Sequence, residues 1–240
     1  LKKLNCSSNQ VATLNIDGCI NLQRLFCQNN VLQNINLSNH ANIDSVNISN
    51  NGNLQLFIAE NCSRLKWVDL NNQSILSTQI LEMVNLINCD SLVFLDVAYH
   101  DINILNISRS DRITNLTGFG TIYNLVANNC NSLSYILARY GNSGSSISHY
   151  LDVTGCTNLL ELHTGEANHL SYVDLSTCPN LQKATVISIM PELYINIKNG
   201  TLMTKGDFFT HDTNMNDNVP AMVNICTDDF EVDSVSRWNN

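Results

Sequence analysis

Residues 4–38 read LNCSSNQVATLNIDGCINLQRLFCQNNVLQNINLS, and apolar residues return in them at a short, nearly constant step. The central residue of each LxxLxL phrase gives the series Leu4, Leu14, Leu25, Ile35, Val46, Phe57 and Val68. It resumes at Val84, Leu95, Leu105, Leu116, Leu125 and Ile136, and again at Leu151, Leu162, Val173 and Ala184. Nearly every step is about 10 or 11 residues, too short for a helical repeat but enough for one strand and one tight turn at about 3.3 Å per residue. The two longer steps follow Val68 and Ile136, where about five extra residues intrude, near 71–80 and in the Gly/Ser-rich 139–148.

Two steps make one coil of about 21–22 residues, inside the range of leucine-rich repeats. Within each phrase the first and third apolar residues point inward and their neighbours point outward, by the period-2 rule. One coil cannot bury its apolar side alone, so coils must stack. The expected fold is a β-rich, flattened leucine-rich-repeat solenoid of roughly eight to nine coils, with extended segments on both broad faces. It spans residues 1–189, and 190–240 is read as a C-terminal capping segment, because Pro191 and Pro220 break the rhythm there.

Composition narrows the function. Hydrophobic residues reach 44%, enough for a packed core, while charged residues are only 14% and asparagine fills many polar positions. A net charge of −9 argues against nucleic acid and anionic membrane as partners. No apolar run approaches the roughly 20 residues of a membrane span. The chain opens LKKLNCSSNQ, without Met, leader or capping element, so a preceding segment or neighbouring domain is expected.

The phrase in 4–38, repeated as LDVTGCTNLLELHTGEANHLSYVDLSTCPNL at 151–181, follows the pattern LxxLxCxxNxLxxLDLSxCxxL. It resembles the nested 21-residue leucine-rich repeats of secreted and surface proteins of Bacteroidota, over about residues 1–189. LYINIKNG (193–200) and AMVNICTDDFEVDSV (221–235) resemble the segment that closes the flavobacterial members. The resemblance implies an extracellular or outer-membrane-surface location, type IX secretion and no enzymatic activity. It also implies a protein or glycan partner. Asp-Ser-Val at 44–46, Asp-Ser-Leu at 90–92 and Asp-Ser-Val at 233–235 look like the O-glycosylation acceptor of such proteins, which makes Ser45, Ser91 and Ser234 candidate glycan sites.

Nine cysteines invite chemistry. Cys6 and Cys27 sit at the inward third position of their phrases, where Leu or Ile stands elsewhere. Cys19, Cys62, Cys89, Cys130, Cys156 and Cys178 fall three residues further on, at the turn, in the slot that Asn9, Asn30 and Asn51 occupy in other phrases. A side chain in that slot can bond turn backbone that would otherwise be buried unpaired, and cysteine fits as a small, buried residue with a weak donor. A disulfide between adjacent coils, Cys62–Cys89 or Cys156–Cys178, is the alternative. No CxxC pair supports zinc, and no convergent His supports a nucleophile. His163, Glu166 and His169 depart from zincin spacing, and Asp228, Asp229, Glu231 and Asp233 lack an EF-hand pattern. No metal or cofactor is therefore expected.

Solenoids of this kind bind through columns of outward strand residues. The column before each centre of the Leu4 face runs Lys3, Arg24, Ser45, Trp67, Phe94, Asn115, Tyr135, Glu161, and the column after each centre adds Phe26, Asp69 and Asp96. Trp67, Phe94, Tyr135, Phe26, Asp69 and Asp96 are the candidate contact residues for a protein or glycan. Two other readings stay open. The aromatics can simply brace the sheet, and the chain can be a scaffold subunit of a surface complex, or secretion cargo with no ligand site here.

Overall fold

The structure, a computed structural model, describes residues 1–72, 80–138, 146–165, 169–188, 190, 192–200, 205–210 and 222–227. The strands in chain order begin β1 Lys3–Asn5, β2 Arg24–Phe26, β3 Asn34–Asn36, β4 Ser45–Asn47, β5 Leu56–Ile58 and β6 Trp67–Asp69. Next come β7 Leu81–Asn85, β8 Phe94–Asp96, β9 Ile102–Asn106, β10 Asn115–Thr117, β11 Thr121–Val126 and β12 Tyr135–Leu137. The rest are β13 Ser146–Asp152, β14 Glu161–His163, β15 Tyr172–Asp174, β16 Lys183–Ser188, β17 Glu192–Asn196, β18 Lys205–Thr210 and β19 Met222–Cys226.

From β2 onward successive strands alternate between two broad faces, and every ladder is parallel. The first face carries the orders β1-β2-β4-β6-β8 and β10-β12-β14-β16-β18; the second carries β3-β5-β7-β9-β11-β13 and β15-β17-β19. The protein is a parallel β-solenoid. The expected centre residues occupy the core, which includes Leu25, Phe57, Val68, Leu125, Ile136 and Val173, while Leu4 and Leu14 are partly buried against it. Each such side chain contributes about 1.5–3 kcal/mol by leaving water.

Neither longer step hides a coil, because β6 pairs directly with β8 and β12 with β14. Residues 73–79 and 139–145 of the two expected insertions lie outside the described residues. Ser146–Ser148, expected in the second insertion, instead open β13. The leucine rhythm stops before residue 190 but the stacking does not: β17 pairs with β15, β18 with β16 and β19 with β17.

The edges explain the composition. The residue before the edge slot is left-handed at Asn29, Asn39, Asn50, Asn61, Asn88 and Asn129, with φ between 55° and 64°. Asparagine tolerates that region better than other non-glycine residues; Gly155 takes the same place before Cys156 at φ 76°. At strand exits Asn5, Asn36, Asn47, Asn106 and Asp152 accept the backbone N–H two residues on, in Asx turns of 2.9–3.0 Å. Of the eight Asn-x-Ser/Thr triplets, those at Asn5, Asn36, Asn47 and Asn106 are thus products of turn chemistry.

The slot residues join coil to coil. On the edge that leads from the second face to the first, Cys62, Cys89, Cys130, Cys156 and Cys178 are buried and unoxidised. Their thiols donate to Leu37, Ala59, Ile107, Ala127 and Val153 carbonyls of the preceding coil at 3.1, 3.1, 3.0, 2.9 and 3.6 Å. Ser110 does the same to Leu86, and His40 bridges Leu37 and Ile16. Turn N–H groups on this edge are already satisfied within the turn, as in Leu65 to Cys62 and Leu92 to Cys89, so the slot needs only a donor. The opposite edge needs an acceptor too, and uses asparagine. Asn30 and Asn51 each donate to the previous coil's carbonyl, at Cys6 and Cys27, and accept from Val11 and Leu32 N–H.

One disulfide is present, and it falls outside both pairs offered as the alternative to a ladder of free thiols. Cys6 bonds Cys27, with Cα atoms 4.9 Å apart, while Cys62, Cys89, Cys156 and Cys178 remain thiols. In-register parallel stacking brings equivalent residues of neighbouring coils into bonding range. At the inward third position the two sulfurs face each other; at the turn slot they face carbonyls. Burial pushes the thiols of Cys62, Cys89 and Cys178 up to about 11, about 12 and about 12.

Candidate functional site

The first face gathers some of the expected contact residues and separates others. Trp67 and Phe94 are in-register neighbours on β6 and β8, and their rings stack at 5.5 Å with a 10° interplanar angle. Trp67 is half-buried and Phe94 is 42% exposed. Such a pair contributes about 0.5–1.5 kcal/mol beyond area burial and presents a continuous apolar plate on a rigid sheet.

Asp69 and Asp96 flank the plate on the same two strands and are also in register. Each has a structural task. Asp69 Oδ1 accepts Asn71 N–H at 3.0 Å, and Asp96 Oδ1 accepts Ala98 N–H at 2.9 Å. Their second oxygens accept from Asn47 and Asn71 side chains at 3.3 and 3.2 Å. Burial raises the Asp69 carboxyl above its usual range, the Asn71 N–H opposes this, and the Asp96 charge reinforces it.

Phe26 stands apart, two strands from Trp67, with Lys3 Nζ 5.1 Å above its ring. Tyr135 belongs to the other first-face sheet, between Asn115 and Glu161, so it does not join the Trp67–Phe94 plate. The sheet parts between β8 and β10. Immediately after β10, Gly118 turns at φ 72° and buried Phe119 fills the edge. Gly120 there lies against the His100 carbonyl, with no room for a Cβ.

Ser45 lies on β4 next to Trp67 and donates to Asp44 at 2.8 Å; Ser91 sits half-buried in the turn after Cys89. Ser234, Asp228, Asp229, Glu231 and Asp233 lie outside the described residues, as does Glu166. His163 accepts the Gly165 N–H at 3.1 Å, and His169 stacks on His149 at 5.0 Å. Among the described residues no group of three His, Cys, Asp or Glu side chains is arranged to hold a metal. Nor is any helix there long and apolar enough to cross a membrane.

The second face carries aromatics of its own, outside the candidate contact residues. Tyr150, Tyr172 and Tyr194 precede the inward residues Leu151, Val173 and Ile195, and all three are exposed. The signal for the first two was present, since both centres belong to the same repeat series.

The class of protein is therefore a parallel β-solenoid with leucine-rich repeat spacing, bound together by an asparagine edge and a cysteine edge. No protein-family model matches the sequence, and no curated protein matches it. Among solved structures, the chain is similar to the functional domain of InlJ from Listeria monocytogenes, described as including a cysteine ladder. Identity is 18% and the TM-score 0.27, over 87% of this chain and 59% of that one. A second similar structure is an internalin (inlF) from Listeria monocytogenes, at 12% identity and TM-score 0.32, over 94% of this chain and 86% of that one. The chain thus spans less than two thirds of the first of these.

Proposed function

We propose that this chain is a non-enzymatic binding module of a secreted or surface-displayed bacterial protein, engaging a protein or glycan through the first face. The observation that carries the reading is the stacked, part-exposed Trp67–Phe94 plate beside Asp69 and Asp96. Exposed aromatics held on a rigid scaffold lose little entropy when covered, and carboxylates at their rim supply direction. Type IX export, a Bacteroidota origin and glycans on Ser45, Ser91 or Ser234 belong to this proposal as consequences of the repeat resemblance.

A scaffold role without a ligand is the second reading. It is favoured by one observation: Asp69 and Asp96 both spend their oxygens on strand-exit turns and cross-coil asparagines. The double variant Trp67→Ser/Phe94→Ser separates the two. Pull-down from the native membrane, identified by mass spectrometry, should capture a partner with the wild-type chain and lose it with the folded double variant. Equal capture by both, or none by either, rejects the first-face contact.

A further inference from the structure

The second broad face differs from the first in charge as well as shape. Among its described strands, β3, β5, β7, β9, β11, β13, β15, β17 and β19, no position is lysine or arginine. The carboxylate side chains there are Glu82, Asp152, Asp174 and Glu192. First-face strands instead mix signs, with Lys3, Arg24 and Lys183 beside Asp69, Asp96 and Glu161. Lysine and arginine are thus missing from the described strands of one face, with Lys198 just beyond the end of β17, in a chain whose net charge is −9.

That face also carries three exposed strand tyrosines. Tyr150, Tyr172 and Tyr194 are 51%, 58% and 46% exposed. Tyr172 and Tyr194 are in-register neighbours on β15 and β17. Their hydroxyls donate to Asp174 at 3.3 Å and Glu192 at 3.0 Å, which couples each phenol to a carboxylate. A register shift between β11 and β13 opposes Tyr123 with an extra residue, and His149 consequently stands outward beside Tyr150. His149 lies 5.4 Å from the Tyr123 ring and stacks on His169.

We propose that this tyrosine face is a docking surface for a positively charged, arginine-bearing segment of another protein. The argument is complementarity. Guanidinium groups stack on aromatic faces and pair with carboxylates in one geometry, and the described strands supply both groups with no lysine or arginine among them. Arginine is favoured over lysine because its planar group can lie on a phenol ring while its N–H fork reaches Asp174 or Glu192. The surface lies on the face opposite the Trp67–Phe94 plate, so the two contacts are independent.

The test uses the full chain and fluorescein-labelled octapeptides of alternating Gly-Arg, Gly-Lys and Gly-Glu, read by fluorescence anisotropy at physiological salt. The Arg peptide should bind, the Lys peptide more weakly, and the Glu peptide not at all. Tyr172→Ala/Tyr194→Ala leaves the charge unchanged at two exposed positions and should weaken Arg-peptide binding at least tenfold. Tyr172→Phe/Tyr194→Phe, which keeps the rings, should stay within threefold of wild type. Trp67→Ser/Phe94→Ser should leave the affinity unchanged, so failure here and failure of the first-face contact are separable. No Arg-peptide binding overturns the proposal. So does equal binding by the Ala variant, which would mark bulk charge alone. A neutral oligosaccharide that occupies the tyrosines in place of the peptide overturns it as well.

Discussion

Asn51 is the most severe test of how the coils are joined. It is 1% exposed; its Nδ2 donates to Cys27 O at 3.0 Å and Ile48 O at 2.7 Å, and its Oδ1 accepts Leu32 N–H at 3.0 Å. Asn51→Ala leaves Cys27 O with its second donor, Asn30, but strands the Leu32 N–H and the Ile48 carbonyl. At about 1–3 kcal/mol per buried unsatisfied group, the loss is about 2–6 kcal/mol. Asn9 occupies the equivalent slot one coil from Asn30 but is exposed, and it donates only to Cys6 O and Ser7 O. Water can replace those bonds, so Asn9→Ala should cost no more than about 1 kcal/mol. Guanidinium unfolding by circular dichroism, without reductant, compares the two variants. Hydrogen exchange at the Leu32 amide localises the effect, because a stack of coils need not unfold in one step. Equal midpoints for the two variants would refute the idea that the slot works by satisfying buried backbone.

Three further outcomes are expected. His100 is held neutral by burial, its pKa lowered from 6.5, with Nε2 bonded to Leu70 O at 2.9 Å. Unfolding lets it take up a proton, so its share of stability is present above pH 6.5 and declines as pH falls below that value; the unfolding midpoint of His100→Asn should be less sensitive to pH than wild type across that window. Iodoacetamide at pH 8 should label exposed Cys226 first and Cys62, Cys89 and Cys178 only after unfolding, by peptide mapping; rapid labelling of Cys89 would contradict its burial. Gly120→Ala places a Cβ against the His100 backbone and should cost about 1–3 kcal/mol in the same unfolding assay.

The fold was legible because one period runs through the chain, and period decides which side chains face inward. Leu4 to Ala184 all landed on the core side, and the turn slot was visible from the cysteines. Less legible was what else could fill that slot. His40, Ser110 and His100 share no composition with cysteine or asparagine, only the ability to reach a carbonyl. The abundance of asparagine had two causes that composition could not separate, left-handed turns and strand-exit Asx bonds. The Cys6–Cys27 bond is hidden in the sequence, because an inward cysteine reads as a core residue until its neighbour in the next coil is known. Column position places Tyr135 with Trp67 and Phe94, but the ladder between β8 and β10 is interrupted, and column position alone carries no sign of that.

The contact role of the first face rests on Trp67, which gives the most direct readout. In the variant Trp238→Phe, Trp67 is the sole tryptophan. Its emission can be followed while the partner captured from native membrane is titrated in. A blue shift that saturates with binding is expected as the half-buried indole leaves water. An unchanged spectrum at saturating partner would place the contact elsewhere on the solenoid.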